Sequence, residues 1–151
     1  MRTGNTNFYH LIAIVILALL VLAAAKAARA DPAVQSTVSV EGGWFRALPP
    51  SVPSGGYFTI RNSGGQAVTV TDVETPGCGV TMMHRSVNGS MDHVMSLGIA
   101  AGETVRFAPG GYHLMCIEAK LKPGGTVPVT FSFADGKSLT ASFAIKTATG
   151  K

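Results

Sequence analysis

Beyond residue 30, histidine and methionine are confined to one stretch of the chain: Met82, Met83, His84, Met91, His93, Met95, His113 and Met115. Thioether and imidazole are soft, uncharged donors, a set that suits Cu(I) better than Mg, Ca or most Zn sites. A thioether needs no deprotonation before it binds a metal and does not pair into a disulfide, which fits it to an oxidising compartment. Residues two apart on a strand share a face, so His113 and Met115 can direct a ring nitrogen and a sulfur into one site from backbone positions about 7 Å apart. Leu114 and Cys116 then face the other way. The same alternation puts Val80, Met82 and His84 on one face with Met83 turned away, and sets Met91, His93 and Met95 at i, i+2 and i+4 of an extended segment. Methionine's commoner task is to fill irregular core gaps, and Met82 and Met83, beside an apolar strand, are expected to do so. As donors, these two would join His93 and Met95 in an auxiliary site open to Cu(II) as well as Cu(I).

The elements that must carry these residues are strands. Glycine, proline and β-branched residues dominate, and no long stretch shows helical periodicity. Residues 56–61 lead through Asn62-Ser63-Gly64-Gly65 into an alternating run over residues 67–73, a strand, turn and strand. Residues 127–133 and 138–145 form a second such pair about Ala134-Asp135-Gly136-Lys137. Between them, residues 80–84, 104–107 and 112–117 read as strands separated by Asn88-Gly89, Ala101-Gly102 and Pro109-Gly110-Gly111. About seven to nine strands suit an all-β, Greek-key sandwich. Trp44 and Phe45 are expected as core or edge-packing aromatics. One domain over residues 38–146 follows, after a short extension at 31–37 and before a flexible tail at 147–151.

The first 30 residues read as a secretory signal. Arg2 is followed by an apolar run over residues 11–25, and Ala28-Arg29-Ala30 is a small-x-small cleavage site before Asp31. The run is shorter than the ~20 residues of a spanning helix, so an uncleaved membrane anchor is the lesser expectation. Removing Arg2, Lys26 and Arg29 from the 12 basic residues leaves nine against 8 acidic ones, and the formal charge of +4 shrinks to about +1. The basic character is therefore largely the leader's and gives no ground for nucleic-acid binding. Cys78 and Cys116, the only cysteines, bracket much of the His/Met stretch; in an exported chain an even pair is expected as a structural disulfide, with two soft thiolates beside a metal as the alternative.

Residues 101–115, Ala-Gly-Glu-Thr-Val-Arg-Phe-Ala-Pro-Gly-Gly-Tyr-His-Leu-Met, resemble the signature of the periplasmic copper chaperones called PCuAC. Gly43-Trp44-Phe45-Arg46-Ala47, Gly56-Tyr57-Phe58-Thr59-Ile60-Arg61-Asn62 and Val127-Pro128-Val129-Thr130 match in the same order, so the resemblance spans residues 38–145. It implies a cupredoxin-like β-sandwich that carries Cu(I) and helps deliver it to the CuA centre of cytochrome c oxidase. The implied partners are a Sco-type thiol protein and the CuA-bearing oxidase subunit. The family's site is a His and a Met from mid-chain plus His-x-Met. Here these correspond to His84, Met91, His113 and Met115, with Met91 at the family's spacing from His113. His84 precedes Met91 by fewer residues than the usual ten; Met95, eleven positions after His84, is the alternative methionine.

Other functions leave different marks. A blue-copper electron carrier needs a ligand cysteine followed closely by a histidine, and no histidine follows His113. No Ser/His/Asp ordering, acid pair or phosphate loop points to an enzyme. Copper storage or resistance would use the same donors and compartment, and a metal-free structural or adhesive sandwich would use the His/Met stretch as core. A monomer is expected.

Overall fold

The structure, a computed structural model, describes residues 37–151. The expected signal peptide, its cleavage site and residues 31–36 of the extension lie outside the described residues. The ten strands are β1 (Val38–Arg46), β2 (Ser54–Asn62), β3 (Val68–Glu74), β4 (Val80–Val87), β5 (Ser90–His93), β6 (Leu97–Ile99), β7 (Thr104–Phe107), β8 (Tyr112–Ile117), β9 (Thr126–Phe133) and β10 (Ser138–Lys146). This is more than the seven to nine expected. β6 has 3 residues, too few to show a period. β1 hides its alternation behind a bulge between Glu41 and Trp44, where Gly42 takes a φ of 63° and the neighbouring Gly43 leaves room for the Phe143 ring.

The strand order is β5-β4-β8-β7-β2-β1-β10-β9-β3-β6. Its two ends, β5 and β6, are consecutive in the chain and separated only by residues 94–96. A connection that short reaches about 14 Å at most, so the sheet must curl until its ends approach one another. The result is an all-β, cupredoxin-like sandwich. Most neighbours are antiparallel; β1 and β10 run parallel, with Trp44 beside Ala144.

The inner faces enclose an aromatic core. Phe58 stacks on Phe107 with ring centroids 4.1 Å apart, and tilts against Phe131 at 5.2 Å and Phe143 at 5.4 Å. Phe45 is fully buried beside Phe143, while Trp44, half-buried on the outer face of the same strand, packs against Tyr57 with the Lys146 ammonium over its ring. Each fully buried aromatic contributes about 1.5–3 kcal/mol. Leu114 and Cys116 of β8 also point into this core, which turns His113 and Met115 outward. Asn62 ends β2 inside the protein: its Nδ2 donates to the carbonyls of Gln66, Ile99 and Ala100, and its Oδ1 accepts from Gly64 N–H. Residues 147–151 close into a turn through Thr147 N–H to Lys151 O.

Candidate metal centre

Three adjacent strands, β5, β4 and β8, bring the histidines together. In the β4–β8 ladder Met82 stands directly opposite Met115, and His84 opposite His113. In the β4–β5 ladder His93 is opposite His84, and Met91 opposite Ser86. Directly opposed residues share a face, so one sheet face carries a row of imidazoles, His93, His84 and His113, with a thioether pair one step along it. The ring centroids are 5.4 Å apart for His84 and His93 and 5.9 Å for His84 and His113.

Met83 and Met82 part company here. Met83 is in the core, as expected, whereas Met82 is half-buried on the opposite face beside Met115. Strand alternation already aligned Met82 with His84, and that signal outweighs the general preference of methionine for cores. Met115 has Gly55 of β2 as its neighbour on the other side, and the place a side chain of that residue would take is filled by the phenol end of Tyr57 from the same strand. Met91 occupies the row beyond the histidines, on the side away from Met115, and is 52% exposed. Met95 falls outside β5, because the chain must leave that strand to reach β6; it is 75% exposed.

The ring nitrogens are prepared for a soft cation. His113 Nδ1 lies 3.0 Å from Gly111 O. A carbonyl only accepts, so Nδ1 carries the hydrogen, and in the neutral ring Nε2 is the nitrogen that can bind a metal. The turn supplying that carbonyl is held by Gly111 N–H to Ala108 O and Ala108 N–H to Tyr112 O, with Gly110 at a φ of 80°. Its spacing to Met115 marks His113 in the sequence, and Pro109-Gly110-Gly111 marks the turn, but no sequence pattern marks the Gly111 carbonyl that orients the ring. His84 Nδ1 is buried and has no hydrogen-bond partner among the described residues, a polar atom whose desolvation a bound ion would offset. Burial, then the nearby His113 and His93 rings, pushes the His84 pKa below its usual 6.5. His84 is therefore neutral at pH 7 and able to ligate, and protons compete for it only in more acidic solution. In an NMR titration of the metal-free protein the His84 ring should titrate with a midpoint below 6.5; a midpoint above that value contradicts this arrangement.

Among the described residues, no three His, Cys, Asp or Glu side chains converge on one point. On this face the thioethers of Met82 and Met115 stand beside the imidazoles, a donor set that suits a soft ion. The thiols do not contribute: Cys78 and Cys116 are joined in a disulfide with Cα atoms 5.3 Å apart, and Cys116 is fully buried on the core side of β8. That link, with the hydrogen bond from Gly79 N–H to Ile117 O, clamps the start of β4 to the end of β8 behind the His/Met face.

Residues 38–145 match the model of the LpqE-like family, which is described as one of lipoproteins. The chain belongs to the LpqE-like family. Lxx21020 from Leifsonia xyli subsp. xyli (strain CTCB07), described as a lipoprotein, is 28% identical over 120 residues, covering 75% of this chain and 72% of its own. Among solved structures, Cu(I)-bound DR1885 from Deinococcus radiodurans is 27% identical, with a TM-score of 0.60, covering 82% of this chain and 85% of that one. The copper-bound PCuAC domain from PmoF2 is 20% identical, with a TM-score of 0.63 over 74% of this chain and 93% of that domain. The fold is thus that of PCuAC domains, as the sequence resemblance implied. Both cysteines of this LpqE-like chain are in the disulfide. No helix among the described residues is long and apolar enough to cross a membrane.

Proposed function

We propose that this protein is a periplasmic copper carrier that holds Cu(I) on the β4–β8 face and passes it to a cysteine-containing acceptor in the assembly of the CuA centre. The observation that carries this reading is the square of Met82, His84, His113 and Met115, two thioethers and two imidazoles on directly opposed strand positions. His84, His113 and Met115 are common to this set and to the one implied by the family spacing. Met82 supplies the fourth donor from one strand away. Met91 is two strands from β8 and a row further along, so it reaches the ion only when the β4–β5 hairpin folds over it.

Chemistry favours carriage over catalysis or electron transfer. Four neutral donors leave the complex with the single positive charge of Cu(I), and an acceptor offering thiolates binds the ion more strongly. A blue-copper centre would need a cysteine thiolate, which the disulfide withholds. Copper-bound PmoF2 and Cu(I)-bound DR1885 are supporting relatives in fold. A Sco-type thiol protein and the CuA-bearing oxidase subunit are the proposed recipients, and the carrier acts as a monomer. Deletion of the gene should lower CuA occupancy of the oxidase in copper-poor medium, with recovery on adding copper. Full occupancy in the deletion strain, together with increased sensitivity to excess copper, would point instead to storage or resistance.

A further inference from the structure

Two donors left outside the square meet on the other flank of β4. His93 lies across from His84, on the exposed edge strand β5. The hydrogen bond from Val94 N–H to Met83 O, at 2.9 Å, carries the β4–β5 register one residue past the end of β5. The next position, Met95, therefore comes alongside Met82. Met82, His93 and Met95 line one hollow of about 210 Å³, with Thr71 and Asp72 of β3 on its far side. Exposure rises across the face, from 9% at His113 to 75% at Met95.

We propose that His93 and Met95 form an outer Cu(I) position, with Met82 standing between it and the inner one, and that copper leaves the protein through it. This inference rests on the reading of the inner square. Only metal–ligand bonds change: as the ion moves outward, a thioether or imidazole of the inner square is released for each outer donor taken up. The copper remains Cu(I), and each donor binds through a neutral imidazole nitrogen or thioether sulfur. The inner ligand His113 is nearly enclosed, so an acceptor cannot readily approach an ion held against it, whereas an ion on β5 stands at the sheet edge. Asp72 Oδ1 already accepts the Val73 N–H at 2.8 Å, and the carboxylate on the hollow's wall offsets the positive charge of the ion in passage. The outer donors are exposed and must be ordered on binding, so this position is the weaker of the two.

The test uses protein labelled with ¹³C at the methionine methyls, titrated anaerobically with Cu(I). The first equivalent should shift the Met82 and Met115 methyls, and the second should shift the Met95 methyl and the His93 ring. The His93→Ala/Met95→Ala variant should bind its first equivalent with wild-type affinity but lose the second. Transfer from its Cu(I) complex to a two-cysteine peptide should slow about tenfold, as expected when a stabilised intermediate position is removed. A Met95 methyl unmoved through two equivalents overturns the proposal, as does transfer at the wild-type rate. Loss of first-equivalent binding in the variant also overturns it, because these residues would then belong to the inner site. Failure of the inner square has a separate signature: first-equivalent binding unchanged in His113→Ala/Met115→Ala.

Discussion

Alanine at both His113 and Met115 should lower Cu(I) affinity by more than about 100-fold, since loss of a group that merely orients a ligand already costs about 10–100-fold. The effect is large because the two residues supply one whole side of the square, from one rigid strand whose other face is locked into the core through Leu114 and Cys116. No donor of equal placing stands beside them: Gly55 is the residue opposite Met115 on β2, and Met91 lies beyond the histidine row, so Cu(I) is left to the weaker outer donors His93 and Met95. Competition with a chromogenic Cu(I) chelator measures the change directly. His113 is nearly buried, so its removal disturbs packing as well as ligation. Met115→Leu separates the two effects, because it keeps the side-chain volume, costs less than about 1.5 kcal/mol of stability, and removes only the sulfur. Unchanged affinity in the double variant, with the fold retained, would show that copper binds elsewhere.

Opening the Cys78–Cys116 disulfide should destabilise the protein by about 4 kcal/mol, the chain-entropy value for a closed loop of this length, given a sequence separation of 38. The loop it closes contains all of β4 to β7 and most of β8, including every candidate donor. Its loss therefore frees the donor-bearing part of the unfolded chain in particular. Denaturant unfolding of Cys78→Ser/Cys116→Ser against the wild type measures the cost. Equal midpoints and slopes would mean that the link contributes nothing. Copper affinity of the folded variant should change little, because Cys116 faces the core and the hydrogen bonds of the β4–β8 ladder still hold Met82 against Met115.

The donor chemistry and the fold class could be read from local pattern. Period-two alternation marked β4 and β8, and the spacing of His113 and Met115 placed both on one face before any tertiary contact was known. Turn residues located the hairpins between β2 and β3 and between β9 and β10. β1 escaped because a two-glycine bulge breaks its period, and β6 because three residues carry no period at all. Met82 shows two local rules in conflict. Its chemistry favours the core, its alternation favours the outer face, and the burial of Met83 and Leu114 on the inner face decides between them.

By itself, the sequence determined that soft, neutral donors are gathered in one stretch, that strands carry them, and that His113 and Met115 share a single face. Only the tertiary structure decided which strands lie side by side. That choice set Met82 against Met115 and aligned His93, His84 and His113, while leaving Met91 a row away. Spacing along a chain fixes the face on which a side chain sits. Register between strands distant in sequence fixes its neighbours, and here that register follows from the curl of the sheet, the disulfide and the burial of one face of each strand.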